Sequence, residues 1–136
     1  MKHARRITNR MSELRPLSVW AAEVVDGWGC PASRRQDVDL CLNEAVSNII
    51  RHGYTDDAPH EIDIELWREP GVVVVRIEDD ARPFDPLKVR EPQHDTLDEA
   101  RPYGRGIVLI RRTADGANYD RRDGRNRLEL RFTLDG

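Results

Sequence analysis

Apolar residues recur at helical spacing over residues 11 to 28, where Met11, Leu14, Leu17, Val19, Ala21, Ala22, Val24 and Val25 gather mostly on one side of a helical wheel. Asn9 and Ser12 stand where a helix cap belongs, and Gly27 and Gly29 close the run. A second, longer helix is predicted to open at Pro31 and Ser33. Its stripe is Val38, Leu42, Ala45, Val46 and Ile49, and it runs to about Arg51 before Gly53 stops it. The period then changes. Ile62, Ile64 and Leu66 alternate with Glu61, Asp63 and Glu65; Glu69-Pro70-Gly71 makes a turn, and Val72 to Ile77 is a β-branched run, so the segment reads as a hairpin with one well-buried strand.

From Ala81 to Tyr103 no period is sustained, and Pro83, Pro86, Pro92 and Pro102 break the chain into a long loop of the kind that is usually functional. Gly106 leads into Ile107, Val108, Leu109 and Ile110, a short helix ending near Asp115-Gly116. Ala117 to Arg122 and Arg127 to Leu134 form a second predicted hairpin around Asp123-Gly124, with Leu128, Leu130, Phe132 and Leu134 turned inward. The order is a short strand, two helices, two strands, the loop, a helix and two strands. That pattern predicts an α+β two-layer sandwich: helices on one face of a mixed, mainly antiparallel sheet, in a single domain spanning 1–136.

Composition narrows the function classes. With 136 residues, 38% apolar and 35% charged, the chain is long enough for one core and one site. No apolar run reaches the roughly 20 residues of a membrane span, and no signal stretch follows Met1 to Arg6, so a cytoplasmic protein without a membrane partner is predicted. Cys30 and Cys41 lack close-spaced Cys or His partners and suggest neither a disulfide framework nor a zinc site. His3, His52, His60 and His94 are too scattered for a metal cluster. Trp20, Trp28 and Trp67 read as core or interface residues. The net charge of −3 is segmented: residues 55 to 100 carry 14 acids against 5 bases, residues 101 to 131 carry 9 arginines against 4 acids. Arginine supplies 20 of the 22 basic residues, which suits planar contacts to phosphates and carboxylates. Without interleaved aromatics or a basic run, this favours a small anionic ligand over direct nucleic-acid binding.

Three short patterns carry candidate chemistry. Glu44 and Asn48, four apart on the second helix, project from one face, where an amide oxygen suits a hard cation such as Mg²⁺ and a carboxylate can polarise a hydroxyl. The same pair also fits a solvated edge of an amphipathic helix. Asp79 stands at the mouth of the buried strand, placed to accept a hydrogen bond from an exocyclic amine such as adenine N6, while alternation turns Asp80 away. An Asp-rich turn is the plainer reading. Gly104-Arg105-Gly106 lets backbone amides approach phosphate at a helix start, or serves simply as a hinge. It is neither a Walker loop nor a dinucleotide fingerprint.

Taken in order, E-x-x-x-N on a helix, D-D-x-x-P-F-D after a strand, a proline-rich loop and G-x-G before a helix form a specific series. The chain resembles the small bacterial anti-sigma factor serine kinases of the GHKL ATPase superfamily. Cys41 to Tyr54 is similar to that family's N box, Asp79 to Pro86 to its first glycine box and Gly104 to Arg111 to its second, and 123–128 resembles the family's end. The resemblance implies a Bergerat ATP-binding fold with ATP and Mg²⁺ as cofactors and an ATP lid at about 82–103. It implies Asn48 as the Mg²⁺ ligand, Glu44 as catalytic base and Asp79 as the adenine contact. Gly104 and Gly106 would form the phosphate turn, with Ala81, Phe84, Arg105 and Ile107 as further nucleotide contacts. Arg101 and Arg105 are placed to reach the β or γ phosphate, and His52, four after Asn48, to border the pocket. The family phosphorylates a serine on an anti-anti-sigma (STAS) protein, sequesters a sigma factor and forms homodimers. Here the N-terminal strand and first helix are the expected contact. A non-catalytic ATP-binding switch that works by partner exchange is the alternative. One departure stands out: Ala81 replaces the glycine usual in D-x-G; alanine disfavours positive φ and adds a methyl group near the expected adenine, so altered nucleotide affinity, not a lost fold, is the expected consequence.

Overall fold

A computed structural model of the chain describes residues 2–88 and 105–134. The elements are β1 (His3–Thr8), a 3-10 turn (Met11–Glu13), α1 (Leu14–Asp26), α2 (Ala32–His52), β2 (Glu61–Glu69), β3 (Val72–Asp79), a 3-10 turn (Pro86–Lys88), α3 (Arg105–Thr113), β4 (Gly116–Arg122) and β5 (Arg125–Thr133). Their kinds and order are those predicted. Most of the segment 82–103 lies outside the described residues.

The five strands lie in the order β1-β2-β3-β5-β4. Every pairing is antiparallel, where the sequence left room for a mixed sheet. The reason is the excursion through α3: β5 comes back beside β3, and β4, which runs in the direction of β3, takes the outer edge without touching it. Asp123 (φ 55) and Gly124 (φ 75) both adopt left-handed backbone between β4 and β5, the combination of a type I′ turn, whose twist matches the strands it joins.

Register sorts the sheet's two faces. Ile62, Ile64 and Leu66 of β2 align with Asp79, Ile77 and Val75 of β3, and these with Asn126, Leu128 and Leu130 of β5. The inward row packs on Leu17, Ala21 and Val25 of α1 and Val38, Leu42 and Val46 of α2, and Phe132 closes it at the far end. Burying such side chains contributes about 1.5–3 kcal/mol each, so this apolar layer carries the fold. The outward face is a ladder of ion pairs: Arg6 with Asp63 (2.7 Å), Arg127 with Glu78 (2.8 Å) and Arg76 with Glu129 (3.2 Å). Surface pairs contribute roughly 0–1 kcal/mol each; their main effect is to reward this register over a slipped one. Trp67 lies on this outer face, with the Lys2 ammonium 4.4 Å and the Arg76 guanidinium 4.8 Å from its ring centre.

Polar clips join the layers. The Ser18 hydroxyl donates to Asp39 (2.7 Å) and accepts from Asn43 Nδ2 (2.7 Å), fixing α1 against α2. Arg34 at the start of α2 donates to the Thr133 carbonyl (2.7 Å) and to Asp37 (2.6 Å). The expected cap at the first helix is not formed: neither the 3-10 turn nor α1 has a side-chain cap. Asn9 instead accepts from the His60 backbone N–H (2.9 Å), because antiparallel pairing of β1 with β2 brings these chain ends together. No helix among the described residues is long and apolar enough to cross a membrane.

Candidate functional site

At the end of the sheet where Asp79 and Asn126 face each other, a cleft opens between the strands, α2 and α3. Its floor is apolar, made by Ala45 and Ile49 of α2, Ile107 of α3 and Leu128 of β5. Its rim carries Asn48, Asp79 and Asn126, together with Arg82, Phe84 and Tyr119.

Alternation along β3 puts Asp79 on the inward row, where it is 3% exposed. Its Oδ1 accepts from the Ala81 backbone N–H (3.0 Å) and from Asn126 Nδ2 (2.9 Å). Burial pushes the carboxyl above its ordinary range, and the hydrogen bonds from Asn126 and Ala81 pull it back down. Asp80 points the other way, exposed, and meets His60 Nδ1 at 3.2 Å. A buried carboxylate with one oxygen saturated is a strong acceptor for a ligand donor entering the cleft.

Asn48 projects into the cleft from α2. The described residues contain no group of three or more His, Cys, Asp or Glu able to hold a metal ion. The donor set fits a cation that takes one protein oxygen, from Asn48, and completes its shell with ligand oxygens and water, as Mg²⁺ does. One turn earlier, the half-buried Glu44 lies beside the cleft rather than in its lining. Its carboxylate rests against the first turn of α3, so close that a Cβ on Gly106 would overlap Oε2. Gly106 is already helical and has no positive φ, so a side chain there would cost no backbone strain but would make the Glu44 carboxylate swing aside. The first amides of α3 have no helical acceptor and border the cleft.

The departure at Ala81 carries no backbone strain. Among the described residues Asp123 is the non-glycine with positive φ, so the backbone at 81 is one alanine adopts without strain. The Ala81 methyl occupies space that Gly53 leaves open: a Cβ on Gly53 would come within 2.7 Å of Ala81 Cβ and 2.6 Å of the Ile49 carbonyl oxygen. The Arg82 N–H donates to the Gly53 carbonyl (3.0 Å), so the end of α2 and the strand exit are one joined unit.

Asn48, Asp79, Ala81, Phe84 and Ile107 are thus brought together around one cleft, with Glu44 and Gly106 at its side; Arg105 is the first residue of α3. His52 ends α2 outside the lining, its imidazole held below the ordinary range by burial and by Arg51 and Arg82. Arg101 and Gly104 lie outside the described residues. Three residues escaped the sequence reading: Asn126, Tyr119 and Arg121. Tyr119 and Arg121 both bond the Asn126 side chain, Arg121 at 2.9 Å. Asn126 had a signal, being the one polar member of an inward row otherwise made of Leu128, Leu130 and Phe132.

The fold has counterparts among known proteins. The family described as histidine kinase-like ATPase domain matches residues 7–132. The serine/threonine-protein kinase BtrW of Bordetella bronchiseptica is 35% identical over 106 residues, covering 77% of this chain and 73% of that protein. Among solved structures, the RsbU and RsbW domains of Rv1364c from Mycobacterium tuberculosis superpose with a TM-score of 0.69 at 14% identity over 98% of this chain, which spans only 32% of that one. The SiaB-SiaC complex from Pseudomonas aeruginosa gives a TM-score of 0.57 at 19% identity, covering 96% of this chain and 89% of that one. At such identities the two structures speak to the fold alone.

Proposed function

The chain belongs to the histidine kinase-like ATPase domain family, and on that premise we propose that it is an ATP-dependent protein serine kinase and anti-sigma factor of the partner-switching kind. The observation that carries the reading is the convergence of Asn48 and Asp79 on one cleft, with Glu44 beside it against the start of α3. The kinase name of the relative from Bordetella bronchiseptica supports it.

In this reading Asp79 accepts a hydrogen bond from adenine N6 and the apolar floor holds the ring. The first turn of α3, with Gly106, meets the phosphates, and Arg105 and Arg101 are assigned to the same groups. Asn48 would hold Mg²⁺, which would supply charge neutralisation for the phosphates. Glu44 accepts the proton of the incoming serine hydroxyl as its oxygen bonds to the γ phosphorus. The bond from that phosphorus to the β,γ-bridging oxygen breaks, and ADP leaves. Positioning and charge carry most of such a step. We assign the acceptor serine to an anti-anti-sigma protein of the STAS type, with a sigma factor bound when that antagonist is absent or phosphorylated. The chain is assigned as a cytoplasmic homodimer joined through β1 and α1.

The test is transfer of label from γ-labelled Mg-ATP to the cognate STAS protein. Labelled serine is expected with wild type, falling by about 100-fold or more in Glu44→Gln while ATP still binds. ATP binding without transfer by the wild type would overturn the kinase assignment and leave a switch that works by partner exchange.

A further inference from the structure

On the reading that the cleft takes an adenine nucleotide, we propose that Asn126 is a positioning residue: locked by Tyr119 and Arg121, it fixes one oxygen of Asp79 and leaves the other to select an exocyclic amine.

Asn126 is 6% exposed and stands opposite Asp79 in the register of β3 and β5. Its Nδ2 faces three acceptors, Asp79 Oδ1 (2.9 Å), the Ala81 carbonyl (3.2 Å) and the Arg82 carbonyl (3.0 Å). Its Oδ1 faces two donors, the Tyr119 hydroxyl and Arg121 Nη1 (2.9 Å). A flipped amide would set oxygen against oxygens and N–H against N–H and O–H, so the surroundings admit one orientation. Both donors come from β4, two residues apart on its inward side, and Arg121 Nη1 also donates to the Ala81 carbonyl (3.1 Å). The edge strand therefore holds the strand exit of β3 through a hydrogen-bond network centred on the buried Asn126 side chain, whose amide is satisfied on both sides, the condition under which such networks rigidify.

The consequence falls on Asp79. With Oδ1 taken by Ala81 N–H and Asn126 Nδ2, Oδ2 has no hydrogen-bond donor among the described residues and is the acceptor left for a ligand. A charged acceptor there favours the amine of adenine and repels the carbonyl of guanine. Asn126 also helps keep that acceptor charged: burial raises the Asp79 carboxyl, Asp80 raises it further, and Asn126, the Ala81 N–H and Arg125 oppose the rise.

The test is calorimetric titration of the full chain with Mg-ATP and Mg-GTP between pH 6 and 8.5, each variant read as a ratio to wild type at the same pH, so that titration of the triphosphate cancels. Asn126→Asp keeps the shape but sets a second carboxylate against Asp79 and two carbonyls. At pH 8.5 it is expected to bind ATP at least about tenfold more weakly than wild type. The ratio should recover as pH falls and the pair takes up one shared proton, which again supplies a donor to Asp79. A second variant, Tyr119→Phe with Arg121→Ala, removes the lock while leaving Asn126, and is expected to reduce the ATP to GTP preference severalfold. A ratio for Asn126→Asp that stays near one, or is lowered equally at every pH, would overturn the proposal; so would an unchanged preference in the folded double variant. Wild type binding neither nucleotide would instead remove the pocket reading beneath it.

Discussion

Asp79 shows how a site residue can cost the protein that carries it. Its folded pKa is raised, so the charged form is disfavoured in the fold, and stability is gained as pH falls through the folded value. An amide at this position never charges, and it can still accept from Asn126 and Ala81. Asp79→Asn is therefore expected to melt at or above the wild-type temperature without ligand at pH 7.5; a drop of more than a few degrees in thermal unfolding would contradict this. Gly53 and Ala81 make a second residue-scale case. Gly53→Ala drives a methyl into Ala81 and the Ile49 carbonyl, and a cost of about 1–3 kcal/mol in urea unfolding is expected. Ala81→Gly, by contrast, is expected to leave ATP affinity within about threefold, since no positive φ is required there. Asp79 and Asn48 were legible in the sequence because alternation and four-residue spacing place side chains without knowledge of the rest of the fold. The tolerance of Ala81 was not, because it depends on a neighbour 28 positions away in sequence. Asn126 was visible only as a polar residue in an apolar phase, whose partners no local pattern names.

At the scale of elements, α2 was the most legible, its stripe Val38, Leu42, Ala45 and Val46 being the side that the sheet buries. The β4 and β5 hairpin was legible from Asp123-Gly124. Caps were less so: Asn9 looks like a helix cap locally, and only the pairing of β1 with β2 diverts it to His60. The connection from α2 to β2 was likewise opaque, because a long-range contact organises it. There His60 stacks on Tyr54 with ring centres 4.1 Å apart, between Asp56 (2.8 Å) and Asp80 (3.2 Å). Hydrogen bonds to Asp56 and Asp80 raise its pKa above 6.5. The stabilisation is then fully present below the unfolded value and is lost as pH rises through the folded one. The urea midpoint is expected to fall between pH 6 and pH 8.5 by more in wild type than in His60→Gln. Equal falls would show that the stack contributes nothing.

For the molecule as a whole, two layers leave one sheet face open under an ion-pair ladder and gather the polar residues of the inward row at one end, beside the cleft. That division was readable from alternation, which put Glu61, Asp63 and Glu65 opposite Ile62, Ile64 and Leu66. The strand order was not, since return of β5 beside β3 is a property of the chain's path and not of any segment. The assigned dimer belongs to this scale. Val19 is 53% exposed on α1, and Val19→Glu is expected to convert a dimer to a monomer in sedimentation equilibrium; a wild-type monomer at tens of micromolar would remove that assignment. The central claim, that the cleft between α2, α3 and the ends of β3 and β5 is an adenine-nucleotide site, is tested most directly by calorimetric titration of Mg-ATP into wild type and Asp79→Asn. The account expects saturable binding to wild type and a loss of at least about tenfold in a variant that remains folded. No binding to wild type, or equal binding to both, would contradict it.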